Sequence, residues 1–130
     1  MIAIDTNIIV RIAVEDDPQQ TEAAQRLLVS EHCYVAASVV LESVWVLKNV
    51  YKQGIPEISR LLQGVLDSQT LTVERADDVQ TALNWYVAGL DFADAMHLAT
   101  ADKCRLLATF DRSFVRNANA LQTSIPVYHP

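Results

Sequence analysis

Along the chain, apolar residues alternate between short continuous runs and a spacing of three and four. Met1 to Asp5 predicts a short buried strand ending in an acid, and Ile8, Ile9, Val10, Ile12 and Ala13 predict an apolar helix after Thr6-Asn7. Asp17-Pro18-Gln19-Gln20 opens a second helix, with a cap, a proline at the first position and a glutamine at the third. His32 to Ala36 suits a strand. Ser38 is expected to cap a long helix running through Val50 and closed by Gly54; its apolar residues point nearly all round, which predicts burial on most sides.

Pro56 starts a further helix to about Asp67, and Leu71 to Glu74 is strand-like. Residues 76–88 form a helix stopped by Gly89, and Asp91 starts the next, small-residue helix through Ala101. Arg105 to Phe110 reads as a strand, Phe114 and Val115 lie in a short helix, and Ile125 to Tyr128 is a last strand. Strands alternate with helices and no two-residue hairpin turn joins them. That order predicts a parallel α/β sheet covered on both faces.

Composition narrows the class. With 130 residues and no break in composition, the chain is expected to form one domain, residues 1–130. Half of it is hydrophobic and glycine and proline are few, which excludes a disordered chain. The two cysteines, Cys33 and Cys104, are too few for a disulfide scaffold and read as small core residues in a reducing compartment. Asp5 interrupts the first apolar run and no later run is long enough to span a bilayer, so a cytoplasmic protein is expected, with no membrane partner. Ten Lys and Arg against sixteen Asp and Glu give a net charge of −6, which argues against a module that coats nucleic acid by bulk electrostatics. It does not argue against an enzyme whose acids a metal neutralises. Lys103, Arg105, Arg112 and Arg116 concentrate basic charge late in the chain, as a solvated face or as a phosphate-facing patch.

The acids are the candidate chemistry. Asp5 follows the first strand, Asp111 follows the strand before it, Glu42 lies one turn into the helix after the second strand, and Asp94 lies in the first turn of its helix. Sites in open parallel sheets form beyond the carboxyl ends of the strands, so all four can reach one edge. Each also has a local reading: Asp5 and Asp111 as turn residues, Asp91 as a helix N-cap with Asp94 on the same face. Glu42 on an apolar helix needs a partner or a cation. Two carboxylates about 4 Å apart repel by about 4 kcal/mol at an effective dielectric near 20. A group of four would strain a stability margin of about 5–15 kcal/mol unless some were protonated or cations sat among them. All-oxygen ligation suits Mg²⁺ or Mn²⁺, which can activate water and stabilise a phosphodiester transition state. Competing chemistries are thin. Three glycines make no phosphate-cradling loop, the histidines form no H-E-x-x-H pair, and there is no G-x-S-x-G elbow. His32, Cys33 and Cys104 lack the paired spacing of a zinc site.

Ile4-Asp5-Thr6-Asn7, Glu42, Asp91-Phe92-Ala93-Asp94-Ala95 and Thr109-Phe110-Asp111, in that order, resemble the PIN-domain nucleases, and most closely the VapC-like toxins of bacterial type II toxin–antitoxin systems. The resemblance covers essentially the whole chain. It implies a three-layer α/β/α fold around a central parallel sheet of four to five strands. It also implies an Mg²⁺- or Mn²⁺-dependent endoribonuclease that hydrolyses RNA phosphodiesters with metal-activated water, and a homodimer held inactive by a small antitoxin protein. Carried over by position, Asp5 and Asp94 are the principal metal ligands, and Glu42 and Asp111 complete the catalytic and metal-binding set directly or through water. Thr6, Asn7 and Thr109 orient carboxylates or water. Asp91 belongs beside them, although capping alone would account for it. The alternatives are a PIN-fold scaffold that binds RNA or a partner without cutting, and a receiver-type Mg²⁺-binding signalling domain. The second lacks its lysine: Ser124 to Pro130 contains none.

Overall fold

A computed structural model describes residues 1–130 as seven helices and five strands, in the order the sequence predicts. The chain divides into two compact units, Met1–Ala76 and Asp77–Pro130.

In the first unit, β1 (Ile2–Ile4), β2 (Cys33–Val35) and β3 (Leu71–Val73) form a parallel sheet in the order β1-β2-β3. The register aligns Ile4 with Val35 and Val35 with Val73. The carboxyl ends of the three strands therefore lie level, and the residues that follow them share one edge. Helices α1 (Thr6–Val14), α2 (Pro18–Ser30), α3 (Ala37–Asn49) and α4 (Ile55–Asp67) supply the crossovers that parallel pairing requires. α1 packs on α2 and α3, and α4 packs on α3 and β3. The core is apolar: Ile9, Val10, Cys33, Val35, Val40, Leu47, Ile58 and Leu62 are buried. α2 starts as predicted, with Asp17 Oδ1 accepting the Gln20 N–H at 3.1 Å and Pro18 in the first turn.

α3 departs from expectation three times, first in ending at Asn49 while Gly54 opens α4 in place of closing α3. It is amphipathic, not buried all round: Val40, Ser43, Val44 and Leu47 form the inward stripe, while Trp45 is 61% exposed and Val50 is exposed beyond the helix end. The inward positions follow the spacing of three and four, so the remaining apolar residues fall on the outer face. Ser38 does not cap the helix either. The N-cap position is Ala36, and the missing cap comes from the residue after β3: Glu74 Oε1 accepts the Ala37 N–H at 3.1 Å while Oε2 accepts the Tyr34 hydroxyl at 2.8 Å. These two hydrogen bonds hold the Glu74 carboxyl below its usual range, the Tyr34 bond foremost, and the same bond pushes the Tyr34 phenol up.

In the second unit, α5 (Ala76–Val87, its first residue lying at the boundary) leads through Gly89, at φ 113°, to α6 (Phe92–Ala99). β4 (Leu107–Ala108) pairs in parallel with β5 (Val127–Tyr128), and α7 (Arg112–Ala120) connects them and packs on β5. The Asn119 side chain brackets Val127, donating to its carbonyl at 2.8 Å and accepting its N–H at 3.2 Å. Burial centres on Val79, Ala82, Leu83, Tyr86, Phe92, Ala95, Leu98, Phe114 and Val127, with the Tyr86 and Phe92 rings edge to face at 5.6 Å.

The parallel α/β class holds, but the five strands hydrogen-bond as three and two, not as one sheet of four to five. The late strand is shorter than the Arg105 to Phe110 run, because Ala101–Cys104 turns (Cys104 N–H to Ala101 O, 2.9 Å) and leaves Arg105 and Leu106 exposed. That turn also exposes Cys104, contrary to its expected burial, whereas Cys33 is in the core as expected.

Candidate active site

Three of the candidate acids cap helices. Asp5 follows β1 in extended conformation and its Oδ1 accepts the Asn7 N–H at 3.0 Å, capping α1. Asp91 Oδ2 accepts the Asp94 N–H at 3.1 Å, capping α6, and Asp111 Oδ1 accepts the Phe114 N–H at 3.1 Å, capping α7. Each helix opens on an acid because an aspartate oxygen satisfies one of the first-turn N–H groups that no carbonyl can reach. Capping has a second consequence. It fixes the carboxylate with one oxygen engaged and leaves the other free to face a ligand. Thr109 steadies the third cap, its Oγ1 accepting the Asp111 N–H at 3.0 Å.

Asp94 differs from the caps. It sits in the first turn of α6, half-buried, and its side chain accepts no hydrogen bond from the protein. Its carboxyl is pushed up, first by burial, then by the charge of Asp91 and then by that of Asp111, with His97 in the last turn of the helix opposing weakly. The second unit thus brings three predicted acids into one electrostatic group around Asp94. They do not form a ready cage: no set of three or more His, Cys, Asp or Glu side chains stands close enough to hold a metal ion.

In the first unit, Asp5 and Glu74 share the carboxyl edge of the sheet, given the level register of β1 and β3. Glu42 lies farther along α3 and is exposed, so the argument that burial obliges it to find a cation does not hold. Thr6 is buried, while Asn7 is exposed and contributes the N–H that orients Asp5. Glu74 is the acid the sequence reading passed over. Its only sequence signal is its position at a strand end, because its partners Tyr34 and Ala37 lie about forty residues away in the chain. His32, for its part, has its Nε2 bonded to Thr72 Oγ1 at 2.7 Å.

The donor set fits a hard divalent cation, being made of carboxylate oxygens, and the raised Asp94 is where a positive charge would relieve most repulsion. Residues 2–120 match the family model of the PIN domain. The chain belongs to the PIN domain family. Among solved structures it is similar to VapC20 of Mycobacterium tuberculosis, described as a sarcin-ricin loop cleaving toxin, at 20% identity and a TM-score of 0.46, over 97% of this chain and 99% of that one. No curated protein matches it.

Proposed function

We propose that the protein is a divalent-metal-dependent endoribonuclease, a single PIN domain over residues 1–130, acting as the toxin of a toxin–antitoxin pair. The match of residues 2–120 to the PIN domain carries this reading, and the like-charge group around Asp94 supports it. In the proposed site Asp5 and Asp94 hold Mg²⁺ or Mn²⁺, and Glu42 and Asp111 complete the set directly or through water. When bound, the ion supplies a water acidic enough to attack at neutral pH and neutralises charge on the phosphate.

The protein's own residues then have defined tasks. The caps at Asp5 and Asp111 hold those carboxylates in fixed rotamers, so that no ordering is needed when RNA arrives. Asp94, ionised against its surroundings, is the acid most ready to exchange repulsion for a cation. Asn7 and Thr109 orient Asp5 and Asp111 through the two backbone contacts described above. Asp91 serves α6 as a cap and tunes Asp94 by its charge. A receiver-type domain is set aside by the family assignment, and the scaffold reading differs from the enzyme only in lacking turnover.

The proposed partners are RNA as substrate, a small antitoxin, and a second copy of the chain. Trp45 and Val50, exposed on and just beyond the outer face of α3, with Ile55 opening α4, supply an apolar face suited to a two-fold contact. No helix is long and apolar enough to cross a membrane, and the proposed setting is the cytoplasm. Induction of the wild-type chain without an antitoxin is expected to arrest bacterial growth, and induction of soluble Asp5→Asn or Asp94→Asn is not. Arrest that survives both substitutions would contradict the proposal.

A further inference from the structure

Phe110 is 79% exposed, although it lies only two residues beyond β4 and immediately precedes the cap of α7. Burying a phenylalanine is among the larger single gains a core can make, and the core of this unit does not collect it. Phe114 and Ala118 perform the inward packing of α7 instead. The exposed ring is nevertheless held in place. Its centroid lies 5.5 Å from that of His129, with the planes at 76°. Both rings project from just beyond the carboxyl ends of β4 and β5, which pair Ala108 with Tyr128 and continue with the Thr109 N–H to the Tyr128 carbonyl at 3.0 Å. The Asn119 side chain pins Val127 two residues before His129. An aromatic platform therefore stands on paired backbone, immediately before Asp111.

Charge lies next to it. Arg112 and Arg116 are exposed, one turn apart on α7, and neither belongs to an ion pair. The only polar partner of Arg116 is Ser113 Oγ at 3.4 Å. An open aromatic face beside unpaired guanidinium groups matches an unpaired nucleotide, which presents a flat base and an anionic phosphate within one residue of chain. We propose that Phe110, steadied by His129, is a stacking platform for an unpaired nucleobase next to the phosphodiester handled at Asp111, and that Arg112 engages a phosphate of the same strand. The inference rests on the nuclease reading and adds to it the residues that position the strand beside Asp111, by stacking and not by base identity.

The test separates binding from cleavage. The Asp94→Asn chain is titrated into a single-stranded RNA oligonucleotide carrying 2-aminopurine, whose fluorescence falls when the base stacks. On that background, Phe110→Ala is expected to weaken binding by about five- to a hundred-fold and to abolish the fluorescence loss, with Phe110→Leu behaving the same way and Phe110→Trp retaining both signals. Because Phe110 is exposed, its variants should melt at the parent temperature. Arg112→Gln should weaken binding and flatten its salt dependence. The proposal is overturned if Phe110→Ala leaves affinity and quenching unchanged. It is equally overturned if Phe110→Leu matches the parent, or if Phe110→Ala changes only the oligomeric mass, which would make the ring a protein contact. Cleavage by the Phe110 wild type with Mg²⁺ is scored separately. Turnover with no stacking overturns this inference alone, whereas stacking with no turnover overturns the nuclease reading and leaves the platform standing.

Discussion

Helix α6 offers a way to separate what an acid does for the fold from what its charge does for the site. Asp91 caps α6 through a 3.1 Å bond from the Asp94 N–H, and the helix anchors the core of its unit through Phe92, Ala95, Leu98 and Ala99. Loss of such a cap to alanine costs about 1 kcal/mol, whereas asparagine caps about as well as aspartate. For a chain of 130 residues, about 1 kcal/mol corresponds to about 3–5 °C in Tm. Two smaller effects accompany removal of the Asp91 charge. The favourable meeting with the helix dipole is lost, about 0.3–1 kcal/mol, and the repulsion that raises Asp94 is relieved. They oppose each other. In chelator at pH 7, Asp91→Asn should therefore melt near the wild-type temperature and Asp91→Ala about 3–5 °C lower.

Asp94→Asn isolates the charge itself. The folded-state pKa of Asp94 is raised, so the folded protein binds this proton more tightly than the unfolded chain does. Ionised Asp94 therefore costs stability. The cost is absent below the ordinary value near 3.8, grows as pH rises towards the folded-state value, and is constant above it. Asp94→Asn should then be more stable than the wild type at pH 7 without metal, with the advantage vanishing at acid pH. Urea melts across pH with a chelator present measure both effects. If Asp91→Asn is as damaging as Asp91→Ala, or if Asp94→Asn destabilises the metal-free protein at pH 7, the division of labour is wrong and these charges are structural.

Glu74 makes the opposite pH prediction. Its folded-state pKa is lowered, so the stability it lends is present above its ordinary value near 4.5 and lost as pH falls through the folded-state value. Glu74→Ala should destabilise at neutral pH, and in a double-mutant cycle with Tyr34→Phe the two losses should be less than additive; full additivity would contradict the shared bond. For assembly, light scattering at micromolar concentration is expected to give twice the 14.5 kDa chain mass and Trp45→Glu to reduce it to the monomer; a wild-type monomer would refute the dimer.

Local features were legible in the sequence because their causes lie within a few residues. The change of period marked the strands and helices, and Asp17 and Asp91 announced caps satisfied three residues on. Features set by residues distant in sequence were not. The cap of α3 arrives from Glu74, thirty-seven positions away, so the local candidate Ser38 was misleading. Apolar content alone could not tell which side of α3 faces the core, and Trp45 and Glu42 lie outside. Among the acids, the charges of Asp91 and Asp111 reach Asp94 and, with burial, push its carboxyl up, an effect of tertiary placement that spacing along the chain does not reveal. The short pairing of β4 with β5 depends on a turn at Ala101–Cys104 whose residues carry no strong turn signature.

Metal-dependent cleavage is read out by incubating purified protein with a structured RNA, with and without a divalent ion. The wild type is expected to cleave with Mg²⁺ or Mn²⁺ and not in EDTA. Asp5→Asn and Asp94→Asn, folded by circular dichroism, should each lose most of the activity, since ligands acting as one unit do not contribute additively. Asp91→Asn should keep most of it, because its cap survives. Cleavage that persists in EDTA, or in both the Asp5 and Asp94 variants, would contradict a metal-dependent nuclease.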